Sequence, residues 1–184
     1  MALTDLLEKH RAAILQRWLQ LIVDTYPADT ARFLLREKDR FLNPVGYTIA
    51  QETAVLLDEI ARGQNAERLG NSLDNMLRIR AVQEFPPSEA VVFVFLLKKA
   101  VRDELASEPQ ESRLLAEMLS LESRIDEAAL RAFDIYMSRR EKIYEIKANE
   151  VRRRSEKLME RLNRIYGGAA EPSDLDEPDS PSSD

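Results

Sequence analysis

His10 is the only imidazole in this 184-residue chain, and there is no cysteine. Acid–base catalysis, nucleophilic catalysis and transition-metal binding draw most heavily on these two side chains. A haem iron needs an axial ligand on a pocket wall, and His10 sits on the first predicted helix, an unsuitable place for one. A zinc site would lack ligands, and a di-iron site lacks the Glu-x-x-His spacing such centres use. A hydrolytic triad would have His10 as its only base, with no nucleophile indicated beside it. Gly63, Gly70 and the pair Gly167-Gly168 form no phosphate-cradling loop. The chain is therefore expected to be a non-enzyme without cofactor or metal.

Two other groupings carry binding chemistry. Trp18, Asn43, Tyr47, Phe93 and Phe95 have the mixture of aromatic and amide side chains that lines small-ligand pockets between helices. The plainer reading makes Trp18, Phe93 and Phe95 ordinary core. Arg152, Arg153, Arg154, Lys157, Arg161 and Arg164 form a basic cluster that would suit an anionic surface. Glu150, Glu156 and Glu160 interrupt it at helix-pairing spacing, so nucleic acid is not the expected partner.

Charge is unevenly distributed. The net charge of −6 resides after Tyr166, where residues 167–184 hold six acids and no base. The rest is balanced, yet residues 139–164 alone hold ten bases against five acids. Residues 167–184 are rich in Pro, Ser and acid, with too little apolar area to offset ordering entropy, and read as a disordered acidic tail. Removing them is expected to leave the melting temperature almost unchanged. A loss of more than a few degrees in a thermal melt would show that they pack on the rest.

The elements that position these residues read as helices throughout. Thr4 can cap a first helix carrying Leu6, Leu7, His10, Ile14, Trp18, Leu21 and Ile22 at spacings of three and four, ended by Pro27. Asp29 or Thr30 opens a short turn with Phe33 and Leu34. Asn43-Pro44 starts a third helix with the face Ile49, Thr53, Leu56, Leu57 and Ile60, stopped by Gly63. A fourth, from about Asn65 to Glu84, presents Leu69, Leu73, Met76, Leu77, Ile79 and Val82. Phe85-Pro86-Pro87 breaks it. The run Val91–Leu97 favours strands by composition, but Ser88-Glu89 before it and Lys98–Arg102 after it keep a helical period. It reads as a central helix buried on most sides.

From Arg113 to Ile165 there is no Gly or Pro. Such a stretch makes one helix roughly 75–80 Å long at 1.5 Å per residue, so its far end is expected to project from a body about 30–40 Å across. Its first part, to about Tyr136, is broad enough in apolar residues to pack into the body. Beyond Arg139 a narrow seam reads 143, 147, 151, 155, 158, 162, 165, with successive steps of four and weakened by Lys147 and Ser155. The expected pairing surface is Ile125, Ala129, Ala132, Tyr136, Ile143, Ile146, Val151, Leu158 and Leu162. The most apolar run, Ala90 to Leu97, is far short of a membrane span. Met1 to His10 lacks the features of a signal peptide, and with no cysteine the expected location is the cytoplasm.

Three stretches together resemble a known family: Ala13-Ile14-Leu15-Gln16-Arg17-Trp18, Arg40-Phe41-Leu42-Asn43-Pro44-Val45-Gly46 and Met76 through Ala90. With the long helix around Ile135-Tyr136-Met137-Ser138-Arg139-Arg140-Glu141, they are similar to the RsbRD N-terminal domain family. That resemblance covers nearly everything to about Tyr166. It implies an all-α, globin-like or multi-helix bundle serving as a stressosome-type input domain in front of a STAS domain. Nothing after Ile165 here would make a STAS domain, so antagonism of an RsbT-type kinase does not carry over directly. The expected organisation is a helical sensor or adaptor body at 1–138, a helix extension at 139–166 and the tail at 167–184. The expected function is a sensory or regulatory domain acting through its long helix on a second copy or a separate protein. The alternative is a structural assembly factor of a larger complex.

Overall fold

A computed structural model describes residues 2–37, 39–63, 65–109 and 112–166, and its described residues fold entirely as helices and turns. The elements are α1 (Leu3–Lys9), α2 (Arg11–Val23), α3 (Ala28–Arg36), α4 (Pro44–Arg62), α5 (Ala66–Val82), α6 (Pro87–Leu105) and α7 (Ser112–Tyr166). The chain divides into two units, 1–141 and 142–184, and α7 contributes residues to both. The acidic stretch 167–184 lies outside the described residues.

Local chemistry explains most boundaries. The Asn43 side chain accepts from the Gly46 N–H at 2.8 Å while Pro44 occupies the first turn, where its missing N–H goes unnoticed. Gly63 ends α4 at φ +64°, a conformation that glycine adopts without a Cβ penalty. Asn65 caps α5 by accepting from the Arg68 N–H at 2.9 Å. Pro86 and Pro87 open α6.

Two expectations need correction. The first helix is two helices, broken at His10 (φ −99°, ψ 7°), and it starts at Leu3 with no cap from Thr4. The Ile14 N–H still bonds the His10 carbonyl at 2.9 Å, so the apolar spacing runs through the break and hides it. The second element is a nine-residue helix that begins directly after Pro27. By contrast α6 is buried on most sides as expected: Phe93, Val94 and Leu97 are fully covered, and Phe95 is 42% exposed.

The core of the first unit is built from Ile14, Trp18 and Ile22 of α2, Ile49 and Leu56 of α4, Leu73 and Leu77 of α5, and Phe93 and Leu97 of α6. Within this unit α7 adds Leu121, Ile125, Ala129, Ala132 and Tyr136, all at 0–2% exposure. Polar bonds flank that packed face. Lys98 pairs with Asp126 at 2.7 Å and Arg102 with Glu122 at 2.6 Å. On the other flank Arg124 donates to the Ala61 carbonyl at 2.7 Å, and Arg139 donates to Asp74 at 2.6 Å.

The N-terminal helix is tied down by two carboxylates. Glu117 accepts from the Leu3 N–H at 2.6 Å and from Arg113, and these bonds hold its pKa below the ordinary value. Glu108 accepts from Lys9 at 2.6 Å and His10 at 2.9 Å, which lower its pKa in that order. A depressed carboxylate stabilises fully above its unfolded pKa, about 4.3 for Glu. That stabilisation is lost as pH falls from there through the folded value. Acidification is therefore expected to free α1 before the rest opens. The protection of the Leu3 amide, corrected for the intrinsic pH dependence of exchange, should fall across that window, and the fall should be absent in a Glu117→Gln variant.

Candidate regulatory site

The residue that stands out is Arg80. It is 1% exposed, in the last turn of α5. It follows Leu73, Met76 and Leu77 by seven, four and three residues, so helical geometry turns it onto the same inward face. Its two bonds go to neutral oxygens: Nη1 to the Glu89 carbonyl at 2.8 Å and Nη2 to the Thr25 hydroxyl at 3.0 Å. Three aromatic rings surround the guanidinium, with centroids at 5.3 Å (Tyr26), 4.9 Å (Phe85) and 5.3 Å (Phe93). Ring faces attract a cation, most strongly where water is excluded.

The cage is not fully satisfied. Arg80 Nε and the Tyr26 hydroxyl are buried without a hydrogen-bond partner among the described residues. Desolvation pulls the Arg80 pKa below its ordinary value, opposed by Tyr26 and by Glu89. Burial pushes the Tyr26 hydroxyl up, opposed by the charge of Arg80.

The turn after α5 joins this cage to α7. The Phe85 N–H bonds the Arg80 carbonyl at 3.2 Å, and its ring meets Tyr26 edge-on with centroids 5.3 Å apart. The Phe85 carbonyl accepts from the Tyr136 hydroxyl of α7. Glu84 takes φ +59°, a left-handed conformation that costs a non-glycine residue about 1–2 kcal/mol. The sequence forces this turn. Pro86 disfavours helix at Phe85, and the two prolines cannot donate to α5. One residue, Phe85, thus touches α2's exit, α5 and α7.

The five expected pocket residues do not line one cavity. Trp18 and Phe93 belong to this network, where Trp18 Nε1 donates to the Phe93 carbonyl at 2.7 Å. Asn43 is buried as a structural cap, donating to the Leu34 and Glu37 carbonyls at 3.0 and 2.9 Å. Tyr47 and Phe95 are 43% and 42% exposed, with Arg40 and Lys98 over their rings. A Cβ added at Gly46 would fall 2.2 Å from Asn43 Nδ2. Gly46→Ala is therefore expected to displace the cap and cost about 2 kcal/mol, visible in a denaturant melt. Sequence reading missed Arg80 because it takes arginine for a surface residue. It placed Ile79 and Val82 on the inward face instead, but Val82 is 71% exposed.

The nine expected pairing residues divide in two. Ile125, Ala129, Ala132 and Tyr136 are spent inside the first unit, so no partner helix can reach them. Every described residue of 142–166 is exposed except the half-buried Ile143. Helix geometry, at about 100° per residue, also redraws the line. Ile146 is two residues from both Tyr144 and Ala148, on the opposite side of α7. The exposed residues that share one side of the helix are Tyr144, Ala148, Val151, Ser155, Leu158, Leu162 and Ile165, in alternating steps of four and three. That is an unbroken heptad, without the run of fours.

Among the described residues, no group of three or more His, Cys, Asp or Glu is placed to hold a metal. No helix of the described residues is long and apolar enough to cross a membrane. The family model of the RsbT co-antagonist protein RsbRD N-terminal domain matches residues 12–151. The chain belongs to the RsbRD N-terminal domain family. No curated protein and no solved structure matches it. RsbRD N-terminal domains are stressosome-type regulatory domains, and such a role implies protein partners. The matched span takes in the whole Arg80 cage, the Tyr136 bond and α7 as far as Val151.

Proposed function

We propose that this chain is a non-enzymatic cytoplasmic regulatory domain whose body receives an input and whose output is helix pairing by α7. The observation that carries this reading is the heptad line at 144–165, exposed throughout and apolar except at Ser155. Val151, Leu158 and Ile165 are 67%, 59% and 68% exposed. Apolar surface at such regular spacing on one helix favours burial against another helix. Each side chain that becomes fully covered contributes about 1.5–3 kcal/mol. Ser155 and Ala148 add little, so pairing with a second copy is modest.

The strained turn at Glu84 favours an input role over a purely structural one, since strain of this kind collects at switching sites. Sedimentation of the full chain over a concentration series tests the reading. A monomer–dimer equilibrium whose dimer fraction rises with concentration supports it. A strict monomer at high micromolar concentration that also retains no helical partner overturns it.

A further inference from the structure

The charges beside the seam identify the partner more closely, given that α7 pairs through it. In a heptad, the residues flanking the apolar line meet those of the opposing helix and decide which helix is accepted. One flank of this seam is Lys147, Arg154 and Arg161, seven residues apart; the other is Glu145, Arg152, Met159 and Tyr166. The flanks thus hold four bases and one acid. The remaining acids of this segment, Glu150, Glu156 and Glu160, fall on positions turned away from the seam. Glu150 pairs with Arg154 along the helix, an exposed contact worth little and readily exchanged.

A second copy answers these charges poorly. In parallel register Lys147 would face Arg152 of the other helix, while Arg154 and Arg161 would face Met159 and Tyr166. In antiparallel register the basic flank would face itself. In either arrangement Glu145 is the single flanking carboxylate set against the four bases.

We infer that the 144–165 seam is a docking surface for an amphipathic helix of another protein, apolar along its own heptad line and acidic on both flanks. Apolar burial would supply the attraction, and the acidic flanks would select this helix over self-pairing.

The test uses the full chain and two synthetic heptad peptides with the same Val and Leu core, one flanked by Glu and the other by Lys. Binding is read by anisotropy of the labelled peptides. The Glu-flanked peptide is expected to bind about tenfold tighter, equivalent to about 1.4 kcal/mol, with the preference shrinking at high salt. Arg154→Glu with Arg161→Glu should reverse it, and Val151→Glu with Leu158→Glu should abolish binding of both peptides.

Equal binding of the two peptides, or self-pairing tighter than either, overturns the acidic-partner proposal while keeping helix pairing. Binding of neither peptide by a strictly monomeric chain overturns both. The chain's own acidic residues 167–184 are the remaining occupant. If their deletion strengthens binding of the Glu-flanked peptide tenfold or more, they hold the seam themselves and the proposal falls. An unchanged affinity supports it.

Discussion

Replacing Arg80 by alanine is expected to lower stability by about 3–5 kcal/mol, a large fraction of what holds a domain of this size. Two effects combine. The truncation leaves a cavity between three aromatic rings, and the Glu89 carbonyl and Thr25 hydroxyl lose their donor inside the protein. Arg80→Met separates them. It keeps much of the packing volume and removes the desolvated charge, so its cost should be less than half that of alanine. Denaturant titration gives both values. Trp18, the only tryptophan, serves as a local reporter because its indole donates to the Phe93 carbonyl and the Phe93 ring lies on the guanidinium. Its emission should shift to the red in both variants. If alanine and methionine cost the same and the emission does not move, the cage does not hold this part of the core together.

Introducing Glu at Val151 and Leu158 together is expected to abolish α7 pairing without loss of fold. Both side chains are more than half exposed, so the folded chain has nothing to lose there beyond a slight change in helix propensity. In a paired helix, each glutamate would bring a charge into an apolar seam that excludes water. The penalty, together with the lost burial, exceeds what a modest dimer has available. Sedimentation should show a monomer, with the helical circular dichroism signal kept. Ile146→Glu is the matched control: it is equally exposed but lies on the opposite side of α7, and should leave association unchanged. If Ile146→Glu disrupts pairing and the double substitution does not, the seam has been drawn on the wrong face.

Much of the architecture was legible from residue order because it depends on local chemistry. Asn43-Pro44, Gly63, Asn65 and Pro86-Pro87 each place a capping acceptor, a left-handed residue or a missing N–H at a definite point of the backbone, and the helices begin or end there. The long α7 follows from an uninterrupted run of good helix formers. The family resemblance was likewise carried by order and spacing. The break at His10 was not legible, since apolar residues keep their period across it. Nor was the direction of the heptad line at Ile146, because a list of apolar residues along a helix does not say which of them share a side.

The site itself depended on packing across the chain. Arg80 is charged and lies among residues at core spacing, and sequence reasoning sends such a residue to the solvent. It is held inside only because Tyr26, Phe85 and Phe93 come from three other parts of the chain, and because Thr25 and the Glu89 carbonyl supply its acceptors. Tyr136 shows the same dependence. Its spacing along α7 fits both a body contact and an outward seam, and the Phe85 carbonyl decides between them. The sequence by itself determined which segments are helical and where they stop, since caps, prolines and helix propensity act within a few residues. Only the tertiary structure decided which polar side chains the core accepts, because a buried charge is tolerated only where distant residues converge on it.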